Sequence, residues 1–446
     1  MITVPIWEPS YGMNDGHVID RITAREVLDS RGRPTVEVDI LTSGGAMGRA
    51  IVPSGASKGK YEAHELRDGD SLRYRGLGVR KAIRNINEHI RPKLIGMSVF
   101  EQERIDHIMI DMDGTSLKTQ MGGNAMLGVS LATVKAAAIQ KGTSLYQRFH
   151  ELAGYGKGNL IPIPLVNVIS GGLHTRNGID FQDYQVVPLT KASFSERIQM
   201  ISEIVNCTRD ILLENNNPSL GLADEGGFCP TGLTNEEACS MVVRSIERAG
   251  FEPGKDIGVA VDFASNSFYR DGKYTIKSEH RILDSTAMSD YVKEFCKNYP
   301  IVSIEDPLVE DDWDGWTDIT RSLGGRLQII GDDIFVTNKS RMALGMRRGV
   351  ANAVLIKMNQ VGTITETLDA LKFARDNGYR TVVSARSGET EDSTISDLSV
   401  GTDAGEIKVG SVHCSSRLAK WNQLLRIEEE LCGEAVSNVD WTYLKS

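Results

Sequence analysis

Three acidic residues each close a short apolar run: VAVD ends at Asp262, IVSIE at Glu305 and LQIIGD at Asp332. Two lysines and a serine do the same further along, at Lys357 (AVLIK), Ser384 (TVVS) and Lys408 (EIK). If those runs are neighbouring strands, three carboxylates point into one mouth, where they repel one another unless a cation neutralises them. Oxygen donors without His or Cys suit a hard cation such as Mg2+ rather than zinc. Taken singly, each acid is as readily a helix cap or an ion-pair partner; three at successive strand ends favour the metal. A lysine at the end of an apolar strand, close to a cation, is expected to lose proton affinity through desolvation and like charge. It could then serve as a base near neutral pH. The alternative for Lys357 and Lys408 is an ion pair with one of the acids.

Other stretches add complementary groups. SARSG (384–388) sets Arg386 beside Ser387, a fork and a hydroxyl suited to phosphate or carboxylate. ADEGGFCP (223–230) carries Glu225 in a glycine-flanked loop, SGGLHTRN (170–177) carries His174, and FQD adds Asp183. Three metal acids, two lysines, a loop Glu, a loop His and an oxyanion pair fit one reaction class. This is removal of a proton α to a carboxylate, followed by loss of a β-hydroxyl. The α-proton is very weakly acidic, so the dianion formed needs fixed positive charge at its carboxylate oxygens.

The elements that would position these groups follow from spacing. From Glu305 the polar strand ends recur at steps of 27, 25, 27 and 24 residues, enough for one strand, one helix and two loops. No Gly-x-Gly-x-x-Gly fingerprint accompanies them, which favours a closed βα barrel over a doubly wound sheet. In such barrels the carboxyl ends of the strands hold the site. Upstream, TVEVDIL and GRAIV alternate as a hairpin or meander, and VRKAIRNINEHI and NAMLGVSLATVKAAAIQKG are helical. The chain therefore divides into an N-terminal extension (1–17), a smaller α+β domain (18–157) and a C-terminal α/β barrel of TIM type (158–446). At 446 residues it is too long for one compact core. A net charge of −10 and the lack of a basic run argue against nucleic acid. No apolar stretch approaches a membrane span. The N-terminus has neither the basic nor the apolar region of a secretory signal. Six cysteines without C-x-x-C pairing suit reduced thiols. A cytoplasmic enzyme is expected.

The sequence resembles the enolase (phosphopyruvate hydratase) family over nearly its whole length. The matching stretches are AREVLDSRGRPTVEV (24–38), VPSGASKG (52–59), LADEGGF (222–228), SIEDPL (303–308), GDDIFVTN (331–338), LIKMNQVGT (355–363), SARSGET (384–390) and SSRLAKWNQLLRIEEEL (415–431). The resemblance implies a Mg2+-dependent hydro-lyase with two Mg2+ per active site, acting as a homodimer or a larger assembly of dimers. Asp262, Glu305 and Asp332 would hold the first ion, and Ser57 would help hold a second. Lys357 would take the C2 proton and Glu225 would assist departure of the C3 hydroxyl, with Asp183 in the same acid–base cluster. Lys408 would bind the substrate carboxylate near His174 and Gln182, and Arg386 and Ser387 would grip the phosphoryl group.

Four departures from that pattern stand out. Ala385 replaces a histidine that contacts the phosphoryl group, and Asp183 replaces a glutamate. Arg176 replaces a small residue, and Lys58 is an added cation. Three of these changes, Ala385, Arg176 and Lys58, would suit a small anionic substrate with a bulkier, more anionic phosphorus group. This makes the chain similar in outline to the carboxyphosphonoenolpyruvate synthases of phosphonate and phosphinate antibiotic pathways. The alternatives are an ordinary glycolytic enolase acting on 2-phosphoglycerate, and a non-catalytic binding or structural homologue.

Overall fold

The computed structural model describes residues 16–56, 59–175, 178–214 and 221–436. The chain opens with an antiparallel meander, β1 (Ile19–Leu28), β2 (Pro34–Thr42) and β3 (Met47–Ile51). The helix Gly123–Lys141 covers it and is buried on nearly every side, as its alanine- and leucine-rich sequence requires. β3 runs so close to this helix that a Cβ on Gly48 would collide with the Ala132 carbonyl, so glycine is needed there.

The second part is a closed eight-stranded barrel. It begins with β4 (Ile163–Ser170), β5 (Asp183–Pro188) and β6 (Ile257–Asp262). A small antiparallel sheet follows, β7 (Tyr269–Arg270), β8 (Lys273–Ile276) and β9 (Arg281–Leu283). The barrel then resumes with β10 (Ile301–Glu305), β11 (Gln328–Gly331), β12 (Ala353–Ile356), β13 (Arg380–Ser384) and β14 (Glu406–Gly410). β14 closes on β4. The apolar interior is filled by Ile163, Leu165, Val187, Ala260, Val302, Ile330, Ala353, Leu355 and Val382. Among the described residues no helix is long and apolar enough to cross a membrane.

One strand departs from the βα repeat. FQD, which the strand-end spacing did not place on any strand, runs into β5, which pairs antiparallel with both β4 and β6. A hairpin needs only a short turn, whereas a parallel return needs a crossover. The consequence is positional: the first residue of β5, Asp183, lies at the same barrel mouth as the last residues of its neighbours. A smaller correction concerns β14, which continues two residues beyond Lys408.

The meander part caps the barrel directly. Buried Asp106 accepts hydrogen bonds from the backbone N–H and the hydroxyl of Thr365, and Ser130 Oγ accepts one from the Ile364 N–H. These satisfy N–H groups at the start of the barrel helix Ile364–Asp376 that have no intrahelical partner.

Candidate active site

Register brings the acids together. Asp262 on β6 pairs with Asp183 of β5 on one side and with Glu305 of β10 on the other. Asp332 follows β11 and Lys357 follows β12, the next two strands of the ring. All five side chains are buried. Their charges are met within the mouth: Lys408 Nζ lies 2.7 Å from Asp262 Oδ2 and 2.8 Å from Glu305 Oε2. Lys357 Nζ lies 2.5 Å from Asp332 Oδ2.

This pairing corrects one expectation. Burial does depress the proton affinity of both lysines, but the facing carboxylates outweigh it. Lys357 is raised above the usual lysine value by Asp332, and Lys408 is raised well above it by Asp262 and Glu305. The sequence signalled apolar strand ends, and it gave no measure of how closely the counter-ions approach. On the acid side, burial and then the Asp262 charge push Glu305 well up. Burial also works against the charged form of Asp332, but Lys357 more than compensates and holds it below the ordinary range.

A second acid cluster forms where β4, β5 and the Glu225 loop meet. His174, Asp183 and Glu225 bring their ligand atoms within 4.8 Å of one another. Asn167 on β4 bridges the two acids, its Nδ2 donating to Asp183 Oδ1 at 2.6 Å and to Glu225 Oε2 at 3.0 Å. Gln185 holds the other end of that amide at 2.8 Å, and Ser170 donates to Asp183 at 2.8 Å. The pair is driven apart. Burial and then the Glu225 charge push Asp183 well up. Glu225 falls to about 2, because His174 and then Arg417 overcome the burial that would raise it. Gln182 donates to Asp262 Oδ2 at 3.0 Å, which places it beside the metal acids.

The anion-binding side lies at the junction with the N-terminal part. Arg386 is ion-paired with Glu62 at 3.0 Å and donates to Asn359 at 2.9 Å. Ser387 Oγ accepts from the Ala56 N–H at 2.6 Å and from Arg31 at 3.3 Å. Fully buried Arg417 pins the loop from below through the carbonyls of Arg386, at 2.7 Å, and Ser387, at 2.8 Å. Ala385 is buried between Ser384 and Arg386, its N–H bonded to the Lys408 carbonyl. Ser57, Lys58 and Arg176 lie outside the described residues, as does most of the N-terminal extension.

Asn167, Glu62, Arg31, Asp306 and Asp333 are site residues that sequence reasoning passed over. The doubled acids of SIEDP and GDDIF were the available signal for the last two. Asp306 accepts from the backbone N–H groups of Asp332 at 2.9 Å and Asp333 at 2.8 Å, so it shapes the loop that presents Asp332.

The donor set suits a hard divalent cation: Asp262, Glu305 and Asp332 offer buried carboxylate oxygens at the ends of three adjacent strands, and the ammonium groups of Lys408 and Lys357 pair with them. Comparison with known families agrees with that chemistry. The family model described as the enolase N-terminal domain matches residues 19–149. The one described as the enolase C-terminal TIM barrel domain matches residues 158–441. With both domains matched in order, the chain belongs to the enolase family, a family of Mg2+-dependent hydro-lyases.

Proposed function

We propose that this chain dehydrates a 3-hydroxy acid resembling 2-phosphoglycerate, one whose phosphorus group is larger than phosphate, to give an enolpyruvate product. The observation that carries this reading is the contrast at β13 and the loop after it: Arg386 and Ser387 are fully supported, while the adjacent position is only a methyl, Ala385. The family's histidine at that position would fill the space and donate to a phosphate. A carboxyphosphono group would take the place of that side chain and bring an additional carboxylate.

In this reading Lys357 Nζ takes the proton from C2. Its proton affinity is high because Asp332 faces it; with Asp332 turned to another cation, burial and the nearby Arg386 and Lys408 charges act to lower it, against the Glu305 charge. Asp262, Glu305 and Asp332 would hold Mg2+, which would supply positive charge to the substrate carboxylate. Asp183 and Glu225 act as one unit in returning a proton to the departing C3 hydroxyl, with Asn167 fixing their separation. Lys408 and His174 steady the carboxylate. Arg386 and Ser387 bind the phosphorus group; Arg176 would add positive charge for it, and Ser57 would help hold a second Mg2+.

Conversion of 2-phosphoglycerate to phosphoenolpyruvate is the second reading, favoured because the proposed base, acid and metal positions match the enolase pattern apart from Asp183. The test is kcat/KM for 2-phosphoglycerate and for the carboxyphosphono glycerate on the same protein. The carboxyphosphono compound is expected to win. A tenfold advantage for 2-phosphoglycerate, about 1.4 kcal/mol of transition-state preference, would overturn the specialised reading.

A further inference from the structure

After β11 the chain passes through two consecutive left-handed residues, Val336 (φ 44°) and Thr337 (φ 54°). Both are β-branched, and that conformation costs of order 1–3 kcal/mol per residue, so it persists only where its surroundings enforce it. The outcome is the placement of one hydroxyl. Thr337 Oγ1 accepts the Lys357 backbone N–H at 2.9 Å and donates to Gln360 Oε1 at 2.6 Å. With its carbonyl oxygen thus fixed, the Gln360 amide must turn its NH2 the other way. Nε2 donates to Asp332 Oδ1 at 2.9 Å and lies 3.4 Å from Glu62 Oε1. The Gln360 backbone carbonyl accepts the Ala63 N–H at 2.8 Å. Thr337 and Gln360 are both buried.

We propose that Thr337 and Gln360 are positioning residues: Thr337 sets the strand end from which Lys357 reaches, and Gln360 fixes the Asp332 carboxylate. Base and metal-binding acid then keep one mutual geometry. The proposal rests on the roles given above to Lys357 and Asp332. Each oxygen of Asp332 has its own partner, Gln360 on Oδ1 and Lys357 on Oδ2. Gln360 therefore holds the carboxylate in place while Oδ2 exchanges the ammonium for another cation. The same amide touches the loop that pairs with Arg386 through Glu62, so anion-binding and proton-abstracting halves share one connection.

The test begins with calorimetric titration of the whole protein with Mg2+ alone. Gln360→Met keeps the length of the side chain and removes the amide; Mg2+ is expected to bind about tenfold or more weakly, the usual scale for a partner that orients a ligand. Thr337→Val should weaken Mg2+ as well, and should lower kcat about tenfold with KM little changed, measured on whichever glycerate is turned over. Thr337→Ser should restore both to within threefold. The double variant should be no worse than the poorer single one, since both act through one chain of bonds. A purely structural role would lower Tm and leave Mg2+ affinity unmoved. If wild type binds Mg2+ and Gln360→Met matches it within twofold, or if the two losses simply multiply, the proposal is wrong. If Gln360→Met does not fold, Gln360→Asn, an amide one methylene shorter, decides by the same criterion. If wild type binds no Mg2+, the reading of Asp332 fails and the positioning role falls with it.

Discussion

The barrel has two polar layers, and β14 contributes to both. Lys408 faces the mouth, and Glu406, two residues earlier on the same inward face, lies about 7 Å nearer the floor. At the mouth, the acids and lysines meet in direct ion pairs. At the floor, Glu406 is 1% exposed with Gln328 Nε2 at 2.6 Å, and the nearest guanidinium nitrogen of Arg380 is 3.9 Å away. Gln328 also donates to Ser303, in a layer otherwise apolar. The same alternation of side chains put both groups inside. What differs is how closely an ammonium meets each acid: Lys357 holds Asp332 below the ordinary range, whereas burial, with the Asp262 charge, pushes Glu305 up at the mouth and burial alone pushes Glu406 up at the floor, where no ammonium pairs with it among the described residues.

The sharpest way to break the mouth is Lys357→Ala. Loss of the proposed base should slow exchange of the substrate α-proton with solvent by roughly 10²–10⁴-fold, the usual contribution of a positioned base. Exchange near the wild-type rate, followed by NMR in deuterated water, would transfer the role to another group. Asp332→Asn comes next. It leaves two carboxylates of the proposed three, and Mg2+ affinity by calorimetry should fall about 10–100-fold, on the scale of losses seen when a site's support is disturbed. Unchanged affinity would remove Asp332 from the site. Ala385→His is smaller. A charge-assisted hydrogen bond is worth about 1.5–3 kcal/mol, so the ratio of kcat/KM for 2-phosphoglycerate over the carboxyphosphono compound should rise at least tenfold. A ratio that stays put would separate Ala385 from specificity. None of these three should alter how stability depends on pH at the floor.

Much of the mouth was legible because a strand buried on both faces reads as an apolar run, and the residue that ends the run shows itself. That logic located Asp262, Glu305, Asp332 and Lys357. It failed for β5, since DYQVVP mixes polar and apolar residues and carries its acid at the start of the strand rather than at the end of an apolar run. Contacts such as Glu62 with Arg386, separated by 324 residues, leave no local trace, because they arise from docking one part of the chain on another. The lysine proton affinities turned on a related point: an apolar run shows burial, but it could not decide between a desolvated base and the ion pair, the alternative that the structure shows at 2.5 Å.

The floor supplies the smallest and cleanest effect. Burial raises the Glu406 carboxyl to about 7, while the Gln328 hydrogen bond and the Arg380 charge pull the other way. Its unfolded value is near the ordinary 4.5. Below that pH the group is protonated folded and unfolded alike and contributes nothing. Between 4.5 and 7 the folded state holds a proton that the unfolded state has released, so stability declines as pH rises. Above 7 both states are ionised and the loss is constant, at most about 3 kcal/mol for a shift of this size. Glu406→Gln is uncharged throughout and keeps an oxygen to accept from Gln328. Its own packing cost does not vary with pH, so the informative quantity is the difference in Tm between variant and wild type. That difference should move in the variant's favour by a few degrees between about pH 5 and pH 7.5 and then level off, with turnover unaffected. A difference that is flat across that range would mean Glu406 is ionised in the folded state at pH 5, and that the floor compensates charge as well as the mouth does.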